Sequence, residues 1–125
     1  IGTNILGYGH PEVDEAVLKC VKDGNMSSLN CPEEVYLAEK LIEINPWADM
    51  VRFARAGGEI NSVAVRIARA HTGRDKIAIC GYHGWHDWYI GTTVRNLGVP
   101  KSVQDLSSKF TFNDLNSLER LLKTN

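Results

Sequence analysis

The sequence predicts an α/β fold with a largely parallel β-sheet, and three observations support this prediction. Short apolar runs that are typical of strands occur at residues 50–54, 76–80 and 110–112. Amphipathic patterns that are typical of helices separate these runs along the chain. The run at residues 76–80 is almost continuously apolar, as expected for a strand covered on both faces of a sheet. Strands that alternate with helices indicate α/β architecture.

The chain opens with a segment for which we expect helices. Ile5 and Leu6 predict a short strand. Pro11 then begins the first helix, because proline suits the first helical position, and Gly24 ends it. The apolar face of this helix is Val13, Ala16, Val17, Cys20 and Val21.

A second helix follows and runs to about Ile44. Asn30 and Glu33 are spaced as a capping box at its start. Asn45 precedes a proline, and this position disfavours helical backbone, so the helix ends there. Its predicted buried residues are Val35, Ala38, Leu41 and Ile42. We expect residues 1–48 to form an N-terminal helical segment.

Residues 49–125 predict the first part of an α/β domain. A strand at Met50–Ala54 leads into a turn at Gly57-Gly58, and a helix follows over residues 59–71. One side of this helix is apolar and the other polar. The apolar side is Ile60, Val63, Ala64, Ile67 and Ala68, and the polar side is Asn61, Ser62, Arg66 and Arg69.

The last third of the chain predicts a loop, a strand and a helix. Residues 91–108 have little periodicity and several glycines and serines, which is typical of a long binding loop or lid. Residues 110–112 predict the next strand, and Asn113 is placed to cap a final helix. The predicted buried residues of that helix are Leu115, Leu118 and Leu122.

Composition excludes several function classes. The chain has 125 residues, a net charge of −1 and no long run of one charge sign, which argues against nucleic-acid binding. No apolar stretch approaches the roughly 20 residues of a membrane span. Cys20, Cys31 and Cys80 match no zinc or redox spacing, so we expect free thiols and a reducing, cytoplasmic setting.

Gly57 and Gly58 are the first candidate site. Glycines between a strand and a helix let the backbone approach a ligand, and the helix N-terminus favours an anion such as phosphate. The alternative is a turn with no ligand. Glu59 must point away from a bound phosphate.

Tyr82 and His83 are the second candidate site. They follow a predicted strand, where ligands of α/β sheets bind, and both could contact a planar ring. Packing at the strand end is the alternative. His83, His86 and Asp87 also allow a metal site and hence a metal-dependent hydrolase. Trp85, Trp88 and Tyr89 favour core or interface packing.

Several motifs together resemble one family. Residues 7–13 resemble the opening "LGHxHPxV" of class III (subgroup II) aminotransferases, and residues 51–61 resemble that family's "VRFxNSGTEAN". Residues 71–77, 81–84 and 112–115 resemble its "AYTGRDKI", "GYHG" and "YNDL". The run from Tyr82 to Trp88 resembles most the glutamate-1-semialdehyde 2,1-aminomutase branch.

The resemblance implies a partial fold type I, aspartate aminotransferase-like enzyme that uses pyridoxal 5′-phosphate (PLP). It implies that Ala56, Gly57 and Gly58 bind the cofactor phosphate, and that Tyr82 and His83 contact its ring. It implies a small amino or keto substrate and a homodimer, or otherwise the remainder of the parent chain, as partner. Residues 24–31 would lie near the site, and residues 91–108 would close over it.

The chain departs from the family pattern in two ways. Both hydroxyls of the family's Ser-Gly-Thr segment are missing, since Ala56 and Gly58 replace them. The lysine that binds the cofactor covalently, and its partner aspartate, are expected beyond residue 125. The chain starts without methionine and ends directly after a helical pattern, so we expect a catalytically inactive fragment of an aminotransferase. A non-catalytic binding module of the same fold is the alternative.

Overall fold

The computed structural model describes residues 2–24 and 28–124. The chain divides into two compact units, residues 1–51 and residues 52–125. Within the described ranges, no helix combines the length and the apolar character that crossing a membrane requires.

The first unit contains two helices of equal length, α1 (Pro11–Asp23) and α2 (Pro32–Ile44). Each has proline in its first turn, as predicted for α1. Gly24 ends α1 with φ at 104°, a conformation that suits glycine. Asn45 ends α2, and both its backbone N–H and its side-chain Nδ2 donate to Leu41 O.

Two predictions for the first unit are wrong. Ile5 and Leu6 lie in a turn rather than a strand, and the Gly7 N–H donates to Asn4 O at 3.0 Å. The capping box does not form, because the N-cap residue of α2 is Cys31 and no side chain caps the helix.

The second unit alternates helices with two strands. Its elements are α3 (Gly57–Thr72), β1 (Ile77–Ile79), α4 (Asp87–Ile90), α5 (Lys101–Gln104), β2 (Ser107–Lys109) and α6 (Leu115–Thr124). β1 and β2 are parallel, with Ile77 opposite Ser107. Gly73 ends α3 in the left-handed conformation. The α/β prediction with parallel pairing is therefore confirmed for these strands.

The strand positions differ from the predicted ones. Residues 50–54 form no strand, because they do not pair with β1 or β2. The last strand is β2 rather than residues 110–112, because the register on β1 selects Ser107–Lys109 despite the strong strand propensity of Phe-Thr-Phe. Residues 91–108 consequently contain α5 and the start of β2, not a single loop.

Two element ends also differ. Gly57 and Gly58 are the first two residues of α3 instead of a turn before it. Asn113 takes a positive φ of 57° in the connection, and Asp114 caps α6 by accepting the Ser117 N–H at 3.1 Å.

The core of the described chain is small. Its buried apolar side chains are Ile79, Tyr89 and Val99. Ala78 on β1 is exposed, so the predicted burial of this strand on both faces does not occur within the chain. Predicted core residues of several helices are also exposed, among them Val13, Val17, Val21, Val35, Ala64, Ile67, Ala68, Leu115 and Leu122.

The orientation of α3 bears most directly on function. Asn61 and Ser62, predicted on its polar outer side, are half-buried. They face the segment that follows β1, as their hydrogen bonds with His83 and His86 show. The first turns of α3 therefore present polar groups to that segment.

Candidate functional site

The N-terminus of α3 is built from residues without polar side chains. Its N-cap residue is Ala56, in extended conformation, followed by Gly57 and Gly58, and no side chain caps it. The first N–H groups of a helix lack intrahelical acceptors, and the helix dipole adds partial positive charge there. This end of α3 can therefore bind an anion through backbone groups.

The Glu59 carboxylate is not directed at the first N–H groups of α3. Its Oε2 accepts the backbone N–H of Arg55 at 3.0 Å, so the side chain bends back to the residue before the N-cap. The expectation that Glu59 turns aside is consistent with this contact.

A close backbone approach joins α3 to the segment after β1. A Cβ on Gly84 would lie 3.1 Å from Gly58 Cα, and Gly84 has a φ of +106°. A Cβ on Gly58 would lie 3.1 Å from His86 Cδ2 and 3.2 Å from its Nε2. Glycine is favoured at Gly84 by both space and conformation, whereas a Cβ on Gly58 would require the His86 ring to shift by a few tenths of an ångström.

Tyr82 and His83 lie where β1 leads into this segment. Tyr82 is 80% exposed, and its ring meets Tyr89 edge-on with centroids 5.6 Å apart. His83 is fixed more tightly. Its Nε2 lies 2.7 Å from Cys80 O, its ring stacks on Trp88, and its carbonyl oxygen accepts Asn61 Nδ2. Tyr82 is thus available to a ligand, whereas His83 supports the segment.

Ser62 is the centre of a hydrogen-bond network behind the glycines. Its hydroxyl donates to Gly58 O at 2.9 Å and accepts Trp88 Nε1–H at 2.9 Å. Its Oγ also lies 2.7 Å from His86 Nδ1. The network connects the first turn of α3 to α4, which His86 caps.

All five residues predicted to bind the cofactor line one cavity of about 400 Å³. They are Ala56, Gly57, Gly58, Tyr82 and His83. The structure brings the two candidate segments together as expected, while their role in binding stays a prediction. The cavity is also lined by Glu59, Asn61, Gly84, Trp85 and His86.

Sequence reasoning missed several residues of this site. Asn61 and Ser62 were predicted only as part of the polar side of α3, although polar residues one turn after a helix-starting glycine pair could have indicated a site. Gly84 and His86 were noted in motifs but not as parts of the cavity. Of the predicted aromatic packing residues, Tyr89 is buried and Trp88 half-buried, but Trp85 is 74% exposed.

Other predicted contributors do not reach this cavity. No residue of 91–108 lines it, and no lysine of the chain does. Residues 24–31 belong to the first unit, and 25–27 of them lie outside the described residues. Their predicted role near the site stays a prediction.

The residues proposed for a metal do not form a metal site. Across the described residues, no group of three or more His, Cys, Asp or Glu side chains is placed to hold a metal ion. His86 Nδ1 is engaged with Ser62, and Asp87 begins α4. The arrangement therefore disfavours a metal-dependent hydrolase at His83, His86 and Asp87.

The cysteines are free thiols, as predicted, and each is half-buried. Burial and the hydrogen-bonded Glu33 carboxylate raise the pKa of the Cys20 thiol. Hydrogen bonds from its own backbone and from Cys20 lower the pKa of Glu33. A raised pKa reduces the thiolate fraction, so Cys20 is a poor nucleophile.

Comparison with known proteins gives a consistent family. The family model "Aminotransferase class-III" matches residues 1–124. A 3-aminobutyryl-CoA aminotransferase of Cloacimonas acidaminovorans is 38% identical over 125 residues, covering 99% of this chain and 30% of that protein. A glutamate-1-semialdehyde 2,1-aminomutase of Methanothermobacter thermautotrophicus is 46% identical over 91 residues, covering 71% and 22%.

Solved structures agree with these relatives. A transaminase with PLP bound aligns with a TM-score of 0.80 and 35% identity, over 92% of this chain and 30% of that one. The chain thus spans about 30% of the length of the 3-aminobutyryl-CoA aminotransferase and of this transaminase.

Proposed function

Since this chain belongs to the class III aminotransferases, we propose that its cavity is the phosphate-and-ring half of a PLP site. The observation that carries the proposal is that the uncapped start of α3 and the exposed Tyr82 ring line the same cavity. The protein that contains this site transfers an amino group between a small amino compound and a keto or aldehyde acceptor. Relatives include both aminotransferases and an aminomutase, so the proposal covers both reactions.

The residues present fit the cofactor's chemistry. A phosphate requires donors, and the first N–H groups of α3 supply them without any side-chain cap in competition. The close approach of Gly58 and Gly84 forms a backbone cradle for the phosphate, and no Cβ lies in this cradle. Tyr82 offers an exposed aromatic face to a pyridine ring. PLP, when bound, supplies an electron sink that stabilises negative charge on the carbon bearing the amino group.

This chain's part in the reaction is binding and orientation. The α3 N-terminus binds the phosphate, and Tyr82 orients the ring. The Cys80 carbonyl and Asn61 hold His83, so the Tyr82–Gly84 segment keeps its position. No lysine lines the cavity, so the amine that would bind the cofactor covalently is not supplied there by this chain.

The decisive experiment uses the full-length protein together with the 125-residue chain. We expect the full-length protein to bind PLP, with a visible absorbance band, and to transfer an amino group to a keto or aldehyde acceptor. The 125-residue chain with added PLP should give no turnover. Turnover by the short chain would contradict its assignment as a binding half.

A non-catalytic binding module is the second candidate. The absence of hydroxyls at Ala56 and Gly58 favours it, because a charged hydrogen bond to phosphate contributes about 1.5–3 kcal/mol. It predicts that the full-length protein shows neither a spectral change nor thermal stabilisation with PLP. That outcome would overturn the enzyme proposal.

The proposal also covers the oligomeric state of the protein and its location in the cell. The large apolar side chains exposed along α1 and α2 support a homodimer, or coverage by the remainder of the parent chain. Three free cysteines support a cytoplasmic location.

A further inference from the structure

His86 has one ring nitrogen held in place and another that borders the cradle. Nδ1 lies 2.7 Å from Ser62 Oγ. The opposite edge, Cδ2 and Nε2, lies 3.1 and 3.2 Å from where a Cβ on Gly58 would be. The ring therefore fills the space beside the second residue of α3, and His86 lines the cavity.

The network behind the ring fixes this orientation. Ser62 is bonded to Gly58 O within its own helix and accepts Trp88 Nε1–H. Gly58 belongs to α3 and Trp88 to α4, so these two bonds join the elements on either side of the cradle. His86 is also the N-cap residue of α4 and accepts the Tyr89 and Ile90 N–H groups at 2.9 Å through its carbonyl. The backbone and the ring of His86 are thus both positioned.

Nε2 can donate when the Ser62 hydroxyl donates to Nδ1, 2.7 Å away, in place of Gly58 O, 2.9 Å away. The neutral ring then carries its proton on Nε2, and this N–H lies beside Gly58.

Three other polar side chains at the cavity are engaged or cannot donate. Asn61 Nδ2 is directed to His83 O, and His83 Nε2 to Cys80 O. Glu59 offers only acceptors and is bonded to the Arg55 N–H. Ala56, Gly57 and Gly58 offer backbone groups alone.

We propose that His86 is a phosphate-binding residue of this site, donating from Nε2 to the cofactor phosphate beside Gly58. It supplies from α4 the side-chain hydrogen bond that no residue at the start of α3 can supply. This inference rests on the proposed function. Glycine at residue 58 is consistent with this role, since a Cβ there would lie 3.1 Å from the ring and would require it to shift by a few tenths of an ångström.

The test compares two variants that separate the ring nitrogens. In His86→Gln the amide nitrogen reaches about as far as Nε2, whereas in His86→Asn it reaches only as far as Nδ1 and keeps the bond to Ser62. Apo full-length protein is titrated with pyridoxamine 5′-phosphate and with pyridoxamine, which carry an amine and bind without the lysine. We expect His86→Asn to weaken pyridoxamine 5′-phosphate binding by about tenfold or more. His86→Gln should stay within about threefold of wild type, and pyridoxamine binding should not change.

Each outcome has a definite meaning. Unchanged pyridoxamine 5′-phosphate affinity in His86→Asn overturns the inference, and so does equal weakening of both ligands by both variants, which indicates a structural role. If wild-type protein binds neither pyridoxamine 5′-phosphate nor PLP, the proposed function itself fails. A measurement on the wild-type protein tests the inference even if a variant misfolds. The ¹⁵N shift of His86 Nε2 must move on addition of inorganic phosphate, and an unmoved Nε2 signal overturns the inference.

Discussion

The space available for a Cβ differs between single residues at the cradle, and Gly57 and Gly58 show this difference most clearly. A Cβ on Gly57 would meet nothing within 4 Å, whereas a Cβ on Gly58 would crowd the His86 ring. The sequence predicted both glycines as a pair with one role. It could not separate them, because the distinction depends on a histidine 28 residues later whose ring is placed by Ser62.

Alanine at each of these glycines gives a matched pair of variants. Gly57→Ala should raise the free energy of unfolding by up to about 1 kcal/mol, because alanine favours helix and restricts the unfolded chain. Gly58→Ala should be less stable than Gly57→Ala by about 1 kcal/mol or more, because His86 must move and the added methyl is overpacked. Urea unfolding followed by circular dichroism measures both. Equal stabilities would show that the His86 ring does not occupy the space beside Gly58.

At the scale of elements, helices were predicted better than strands. The bounds of α1, α2 and α3 follow from local signals such as Pro11, Gly24 and Gly73, which act within one turn. Strand positions depend on a partner that is distant in sequence. β2 is selected by its register on β1, so the local propensity of residues 110–112 was misleading. The cap of α6 was predicted at Asn113 and lies one residue later, at Asp114. The local signal does not separate the two, because Asn and Asp are both good helix caps.

The cap of α6 can be tested without touching the cavity. Asp114→Ala should lower the free energy of unfolding by about 1 kcal/mol, because the Ser117 N–H loses its acceptor. Asp114→Asn keeps an acceptor oxygen and should stay close to wild type. Thermal unfolding compares the variants. If Asp114→Asn is as destabilised as Asp114→Ala, the contribution comes from charge, for which Arg120 at 3.9 Å is the candidate partner, and not from the cap.

The whole chain has far more apolar surface than its core can bury. Only Ile79, Tyr89 and Val99 are buried apolar residues in the described ranges, while Val17 on α1 is 55% exposed and Leu18 60%. Amphipathic patterns predicted which faces are apolar. They could not predict what covers these faces, because a pattern records that a face is apolar and not where its partner lies.

The exposed faces predict association of the isolated 125-residue chain. We expect sedimentation velocity to show dimers or larger species whose fraction rises with concentration. Val17→Lys should reduce that fraction, because it places a charge in the apolar row of α1. Glu15→Lys, on the same helix but outside the predicted row, is the control and should change it less. A monodisperse monomer at high concentration would contradict the prediction.

The cavity has one further property, which concerns the order in which the protein is made. Every residue that lines it lies between positions 56 and 86, so one continuous stretch contains the whole half-site. Bringing the ends of a short stretch together costs less chain entropy than joining distant segments. Domains form progressively from the N-terminus during synthesis. The cavity can therefore assemble on the ribosome once β2 has emerged to pair with β1, since Trp88 and Tyr89 also contact the aromatic segment.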